Sequence, residues 1–202
     1  MRRFSSRTLL AAASAALAAV LLIAGGLALW GSAYVHNTVQ GQLAAQQISF
    51  PPAAAFTHAK AGTEITPSMI PSVSQYAGQQ LLTGQQAEAY ADHFIAVHIA
   101  NIGGGKTYSQ LSAESIAQPS NTALANTVST VFKGETLRSM LLNAYGWWKV
   151  SQITYIISLV AFGLGAVAGL GSIFLFVTGR RNKSDAPMPP AGHETISPVT
   201  TA

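Results

Sequence analysis

The 202-residue chain contains no cysteine. That excludes disulfides, thiolate nucleophiles and Cys-ligated zinc or iron–sulfur sites. Charge is also scarce. Asp, Glu, Lys and Arg make up 9% of the residues, against about 25% in ordinary soluble domains. No convincing alternation of polar and apolar residues occurs, so strands are not expected. What the chain does have is apolar residues, 49% of the total, gathered into two stretches without any charge. These are Leu9–Trp30 and Ile153–Val177, 22 and 25 residues long. As helices they reach about 33 and 37 Å, enough to cross a hydrocarbon layer of about 30 Å with some tilt. The second holds fourteen Leu, Ile, Val or Phe residues, which favours insertion by about 4 to 8 kcal/mol. The first holds nine and many alanines, and is the more marginal span.

The formal charge of +4 misleads as a whole-chain number. Between Gly31 and Gly146 four bases face five acids. The positive excess sits at the ends, in Arg2, Arg3 and Arg7 and in Arg180, Arg181 and Lys183. No basic stripe suited to nucleic acid is present. The terminal clusters predict cytoplasmic N- and C-termini and an extracytoplasmic middle. Lys133, Arg138 and Lys149 lie on the other side of the second span; they oppose this orientation and are outweighed by the first span and the tight tail cluster. Trp30 and Tyr34 after the first span, and Tyr145, Trp147 and Trp148 before the second, fall where an interfacial aromatic belt would lie. Residues 1–33 also read as a cleaved secretory signal. An apolar core of 22 residues exceeds the usual 7–15, which favours an uncleaved signal-anchor. Either way residues 31–152 come to lie outside.

The expected organisation is an all-α membrane protein: residues 1–8 as a cytoplasmic N-terminus, a transmembrane helix over 9–30, an extracytoplasmic helical domain over 31–152, a second transmembrane helix over 153–177, and a disordered, Pro-rich cytoplasmic tail over 178–202. The first helix should continue past Tyr34 until Pro51-Pro52, and residues 51–71 read as irregular. A helix over Gly84–Ile102 should be capped by Thr83 with Gln86, bury Ala87, Tyr90, Ala91, Phe94, Ile95 and His98, and end at Gly103-Gly104-Gly105. Residues 120–133 read as a separate helix, and Glu135 begins another that enters the second span. Gly165 and Gly169 form a G-x-x-x-G pair, and Ala11, Ala15 and Ala19 recur every four residues. Small residues at that spacing let helices approach closely, either for a homo-oligomer or partner membrane protein or between the two spans themselves.

The candidate chemistry is thin. His93 and His98 lie five apart, about 140° around an ideal α-helix, whereas a zinc-binding helix sets its histidines four apart. Metal binding would need His36 or His58 brought near by folding. Gly103-Gly104-Gly105-Lys106-Thr107 resembles the end of a phosphate-binding loop, but Ala100 stands where the motif needs glycine and no strand precedes it; a helix connector is expected. No glycine-flanked serine marks a nucleophile.

The segments TPSMIPSVSQYAGQQLLTGQQAEAYADHFIAVHI (66–99), GGKTYSQLSAES (104–115) and KGETLRSMLLNAY (133–145) resemble a family of small actinobacterial two-span membrane proteins. Some members of that family carry the label aromatic ring-opening dioxygenase. The resemblance covers most of the chain outside the tail. It implies a cell-envelope location and supplies no catalytic residue. A non-haem iron oxygenase holds iron with two histidines and a carboxylate, and no His-x-Asp/Glu pair occurs here. The sequence therefore points to a non-enzymatic protein, with no cofactor or metal, whose helical middle binds or scaffolds another envelope component. The rival reading is a metal-dependent enzyme using the histidines of the middle domain.

Overall fold

A computed structural model describes residues 6–61 and 63–184. Arg2, Arg3 and the tail from residue 185, to which the sequence reading assigned a cytoplasmic place and disorder, lie outside the described residues. Among the described residues all regular structure is helical apart from one isolated bridge between Ser49 and Gln80. The elements are α1 (Ser6–Ala45), α2 (Ala53–Thr57), α3 (Ile70–Val73, flanked by 3-10 turns), α4 (Gly84–Tyr90), α5 (Ala96–Ile102), α6 (Tyr108–Ala117) and α7 (Thr122–Ser184).

Two of these helices, α1 and α7, are long and apolar enough to cross a membrane. Only 17% and 11% of their most apolar windows are buried, so the described residues leave most of those surfaces uncovered. Two compact units divide the described residues, one of residues up to Ala24 and from Val160 on, the other Gly25–Leu159.

In the first unit the end of α7 packs on the start of α1. Ser172 Oγ donates to the Ala11 carbonyl at 2.8 Å. A Cβ at Gly165 would lie 3.1 Å from Leu22, and one at Gly169 would lie 3.8 Å from Ala18 Cβ. Residue numbers rise on one helix as they fall on the other, so the pair is antiparallel. Gly165 and Gly169 thus face the chain's own first helix, while Gly163 and Gly171 have nothing near. On α1 the buried alanines are Ala11 and Ala18. Of the expected row, Ala15 and Ala19 are exposed. A spacing of seven follows the contact seam, whereas a strict spacing of four drifts off it.

The second unit has one apolar core. Val39 and Leu43 of α1, Phe50, Phe56, Met69, Val73, Leu81, Ala87, Ala91, Ile95, Ile99, Leu141 and Trp148 form it. α1 ends at Ala45, short of the prolines, where Gln47 takes a positive φ of 54° and turns the chain. The following segment pairs with residues 78–81: Phe50 N–H donates to Gln79, Leu81 N–H to Ile48 and Gly78 N–H to Pro51. Residues 51–71, expected to be irregular, instead contain α2 and the start of α3, short turns held by burial of Phe56, Met69 and Val73. The helix expected over 84–102 is present as α4 and α5 joined by a π-helical turn, Ala91–Ile95.

Two boundaries differ from expectation. Residues 120–133 and the helix from Glu135 are one continuous element, α7, capped by Asn121 Oδ1, which accepts from Leu124 N–H at 3.0 Å. Gly134, which falls between the two expected helices, lets Ile99 approach: a Cβ there would collide with Ile99 Cγ2. The stretch 178–184, assigned to the tail, continues α7.

Candidate functional site

Residues 29–36 of α1 and 148–156 of α7 meet at a junction built from small side chains. Ser32 Oγ donates to the Ser151 carbonyl at 2.7 Å, and Ser151 Oγ donates to Trp148 O at 2.7 Å. Both serines are buried, so the hydroxyls satisfy carbonyls that the helix would otherwise share with water. Beside them the His36 ring lies against Trp148, with centroids 4.0 Å apart and planes tilted by 36°. Gly84, the first residue of α4, closes the other side of the indole: a Cβ there would stand 2.4 Å from Trp148 Cβ. Trp148 is only 5% exposed. Placing it in the aromatic belt is therefore corrected. It belongs to the core, and its Nε1 is buried without a partner among the described residues. Trp30, 69% exposed and stacked with Tyr34 at 5.8 Å, and exposed Trp147 retain the outward orientation that a belt requires.

The same junction leaves a groove of about 570 Å³, walled by Leu29, Ser32, Ala33, His36, Ser151, Gln152, Tyr155 and Ile156. The serine hydroxyls are occupied as described. The His36 imidazole, the Gln152 amide and the Tyr155 hydroxyl make no hydrogen bond to any described residue. Sequence reading missed this groove because its polar residues are scattered over two segments more than a hundred positions apart.

Around α4 and α5 the polar groups serve structure. Gln86 Oε1 accepts from Leu82 N–H (2.7 Å) and Thr83 N–H (3.0 Å), and its Nε2 donates to Gln79 Oε1 (3.0 Å). With Thr83 Oγ1 accepting from Gln86 N–H this is the capping box expected at that position. Phe50, Tyr90, Phe94 and His98 form a run of ring contacts with centroids 4.5 to 5.3 Å apart. Burial, and secondarily the charge of Glu64, hold the Tyr90 hydroxyl above the ordinary tyrosine range. Arg138 of α7 donates to Asp92 Oδ1 at 2.8 Å and approaches Glu135 at 3.5 Å. The hydrogen bond to Asp92 raises its already high pKa, which at this exposure is screened by water and contributes little.

The described histidines do not gather. His98 Nδ1 contacts its own-helix carbonyl at Phe94, 2.8 Å away, His93 and His58 are exposed, and His36 stands on Trp148. The π turn between them reduces the angle expected from ideal α geometry, yet His93 faces water while His98 is half-buried. Among the described residues no three His, Cys, Asp or Glu side chains are grouped to hold a metal ion.

The glycine-rich segment is a helix stop. Gly105 N–H donates to Ala100 O and Gly104 N–H to Asn101 O, with Gly104 at φ 60°. This is the Schellman arrangement, and only glycine adopts it without strain. The Lys106 ammonium is engaged by both oxygens of Glu114 at 2.7 Å. Thr107 and Gln110 form a second capping box that starts α6, an element whose T-x-x-Q signature was readable in the sequence.

No protein-family model, curated protein or solved structure matches the chain.

Proposed function

We propose that the protein is a non-catalytic integral membrane protein whose helical middle, residues 31–152, stands outside the membrane and binds or scaffolds a cell-envelope component. The spans are residues 9–30 and 153–177, and both termini are cytoplasmic. One observation carries this reading: along α1 and α7 large apolar side chains such as Ile23, Leu27, Ile156, Val167 and Phe174 are exposed over the whole apolar stretch. Surfaces of that extent do not stay in water, and a bilayer covers them without requiring any polar partner. The basic clusters at the two ends support the orientation. Around α4 and α5 the polar side chains engage in caps, ion pairs and ring contacts, which supports a structural or binding role for that part of the middle unit. Membership of the actinobacterial two-span family belongs to the same proposal.

The missing cysteines make the test simple. Single variants Ser109→Cys in α6 and Thr195→Cys near the C-terminus are expressed in intact cells and treated with a membrane-impermeant maleimide. Ser109→Cys labels and Thr195→Cys labels only after lysis. Labelling in the reverse pattern, or recovery of the unlabelled chain in the soluble fraction, rejects the topology.

A further inference from the structure

The groove at the α1–α7 junction is amphipathic along its length. Leu29 and His36 lie seven residues apart on one face of α1, about 10 Å along the axis, and Lys149 and Ile156 are related in the same way on α7. Numbering runs in opposite senses on the two helices, so His36 and Lys149 share one end and Leu29 and Ile156 the other. Lys149 is exposed, with its ammonium 5.5 Å from the Tyr145 ring. It lies one turn from Gln152 on the same row of α7. No Asp or Glu occurs before residue 64 or between residues 136 and 184, so nothing in either helix near the groove neutralises Lys149. The polar end offers three groups that make no hydrogen bond to a described residue: the His36 imidazole, the Gln152 amide and the Lys149 ammonium. The apolar end opens through Ile156, which is 60% exposed.

We propose that this groove binds one anionic glycerophospholipid, its phosphate at the His36–Gln152–Lys149 end and its acyl chains leaving past Leu29 and Ile156. The volume of about 570 Å³ falls within the range of about 300–1,000 Å³ typical of small-molecule sites. Charge complementarity selects the headgroup, because among the described residues Lys149, the base beside the groove's polar end, is a cation with no Asp or Glu nearby on either helix. The site also accounts for Lys149, a base on the side of the membrane where positive charge is disfavoured. The inference rests on the membrane reading above.

The full chain, purified in dodecyl maltoside, is titrated with phosphatidylglycerol or phosphatidylcholine of equal chain length and observed by native mass spectrometry. One phosphatidylglycerol is retained at about fivefold or greater preference, the factor a single base at a lipid surface supplies. Lys149→Gln brings it to the phosphatidylcholine level, and Ala33→Trp, which fills the groove from an exposed position, lowers both. Equal retention of the two lipids, or undiminished binding by Ala33→Trp, overturns the proposal. A dimer that dissociates on Ala33→Trp also overturns it, assigning the groove to a second copy. Alkaline carbonate extraction of membranes separates the two failures: a chain that resists extraction but retains no lipid loses this inference alone, and a chain that is released loses the membrane reading with it.

Discussion

At the scale of single residues, function and stability converge on positions where a side chain is missing. Gly84 is glycine because the indole of Trp148 occupies the space its Cβ would need. Gly84→Ala is expected to destabilise the second unit by about 1–3 kcal/mol, the usual cost of overpacking a filled core. Thermal unfolding in detergent, followed by tryptophan fluorescence, measures it; an unchanged midpoint would mean that Trp148 shifts at no cost. Tyr90 provides a pH signature. Its hydroxyl pKa is raised above 10.0 by burial and then by Glu64. The folded state therefore holds the proton more tightly than the unfolded state. That stability is complete below pH 10 and is lost as pH rises through the higher folded value. Tyr90→Phe removes the component, so the variant loses less stability than the parent between pH 9 and pH 11 in chemical denaturation. A parallel decline in both proteins rejects it.

Among elements, α4 is short and depends on its N-terminus. Thr83 and Gln86 together satisfy three backbone N–H groups, and Gln86 is itself buried. Thr83→Ala is expected to cost about 1 kcal/mol. Gln86→Leu is expected to cost about 1–3 kcal/mol, since it leaves the half-buried Leu82 and Thr83 N–H groups without their shared acceptor. Hydrogen exchange at residues 82–90 distinguishes local fraying from global loss: faster exchange confined to this segment is the expected pattern. The π turn that follows was invisible to periodicity. It resets the register so that Ala91, Ile95 and Ile99 stay on the core while Asp92 meets Arg138.

For the molecule as a whole, the question is what the G-x-x-x-G pair faces. In the unit that contains it, Gly169 and Ala18 present Cβ positions 3.8 Å apart, which is the mean Cβ separation across a disulfide. The cysteine-free background makes the double variant Ala18→Cys, Gly169→Cys informative. Oxidation of membranes with copper–phenanthroline is expected to close a bond within one chain, seen as a faster-migrating monomer on non-reducing gels. A covalent dimer would instead assign the glycine face to a second copy. Gly165→Leu, which a Cβ contact of 3.1 Å with Leu22 opposes, is expected to suppress that crosslink.

Patterns that act locally were readable from the chain alone. Two uncharged apolar stretches dictate long helices whatever surrounds them, and the all-helical composition follows. The cap at Thr83 and the stop at Gly103-Gly104-Gly105 depend on residues within a few positions of the backbone they serve, so they too were legible. The merging of two expected helices into α7 was not, since Ile99, which fills the space beside Gly134, lies far from it in sequence. Trp148 reads as a belt residue until His36 and Gly84 are found against it. The groove of His36, Gln152 and Tyr155 exists only because α1 and α7 come together. Contacts between residues far apart in sequence leave no periodic trace, and tertiary packing alone decided them.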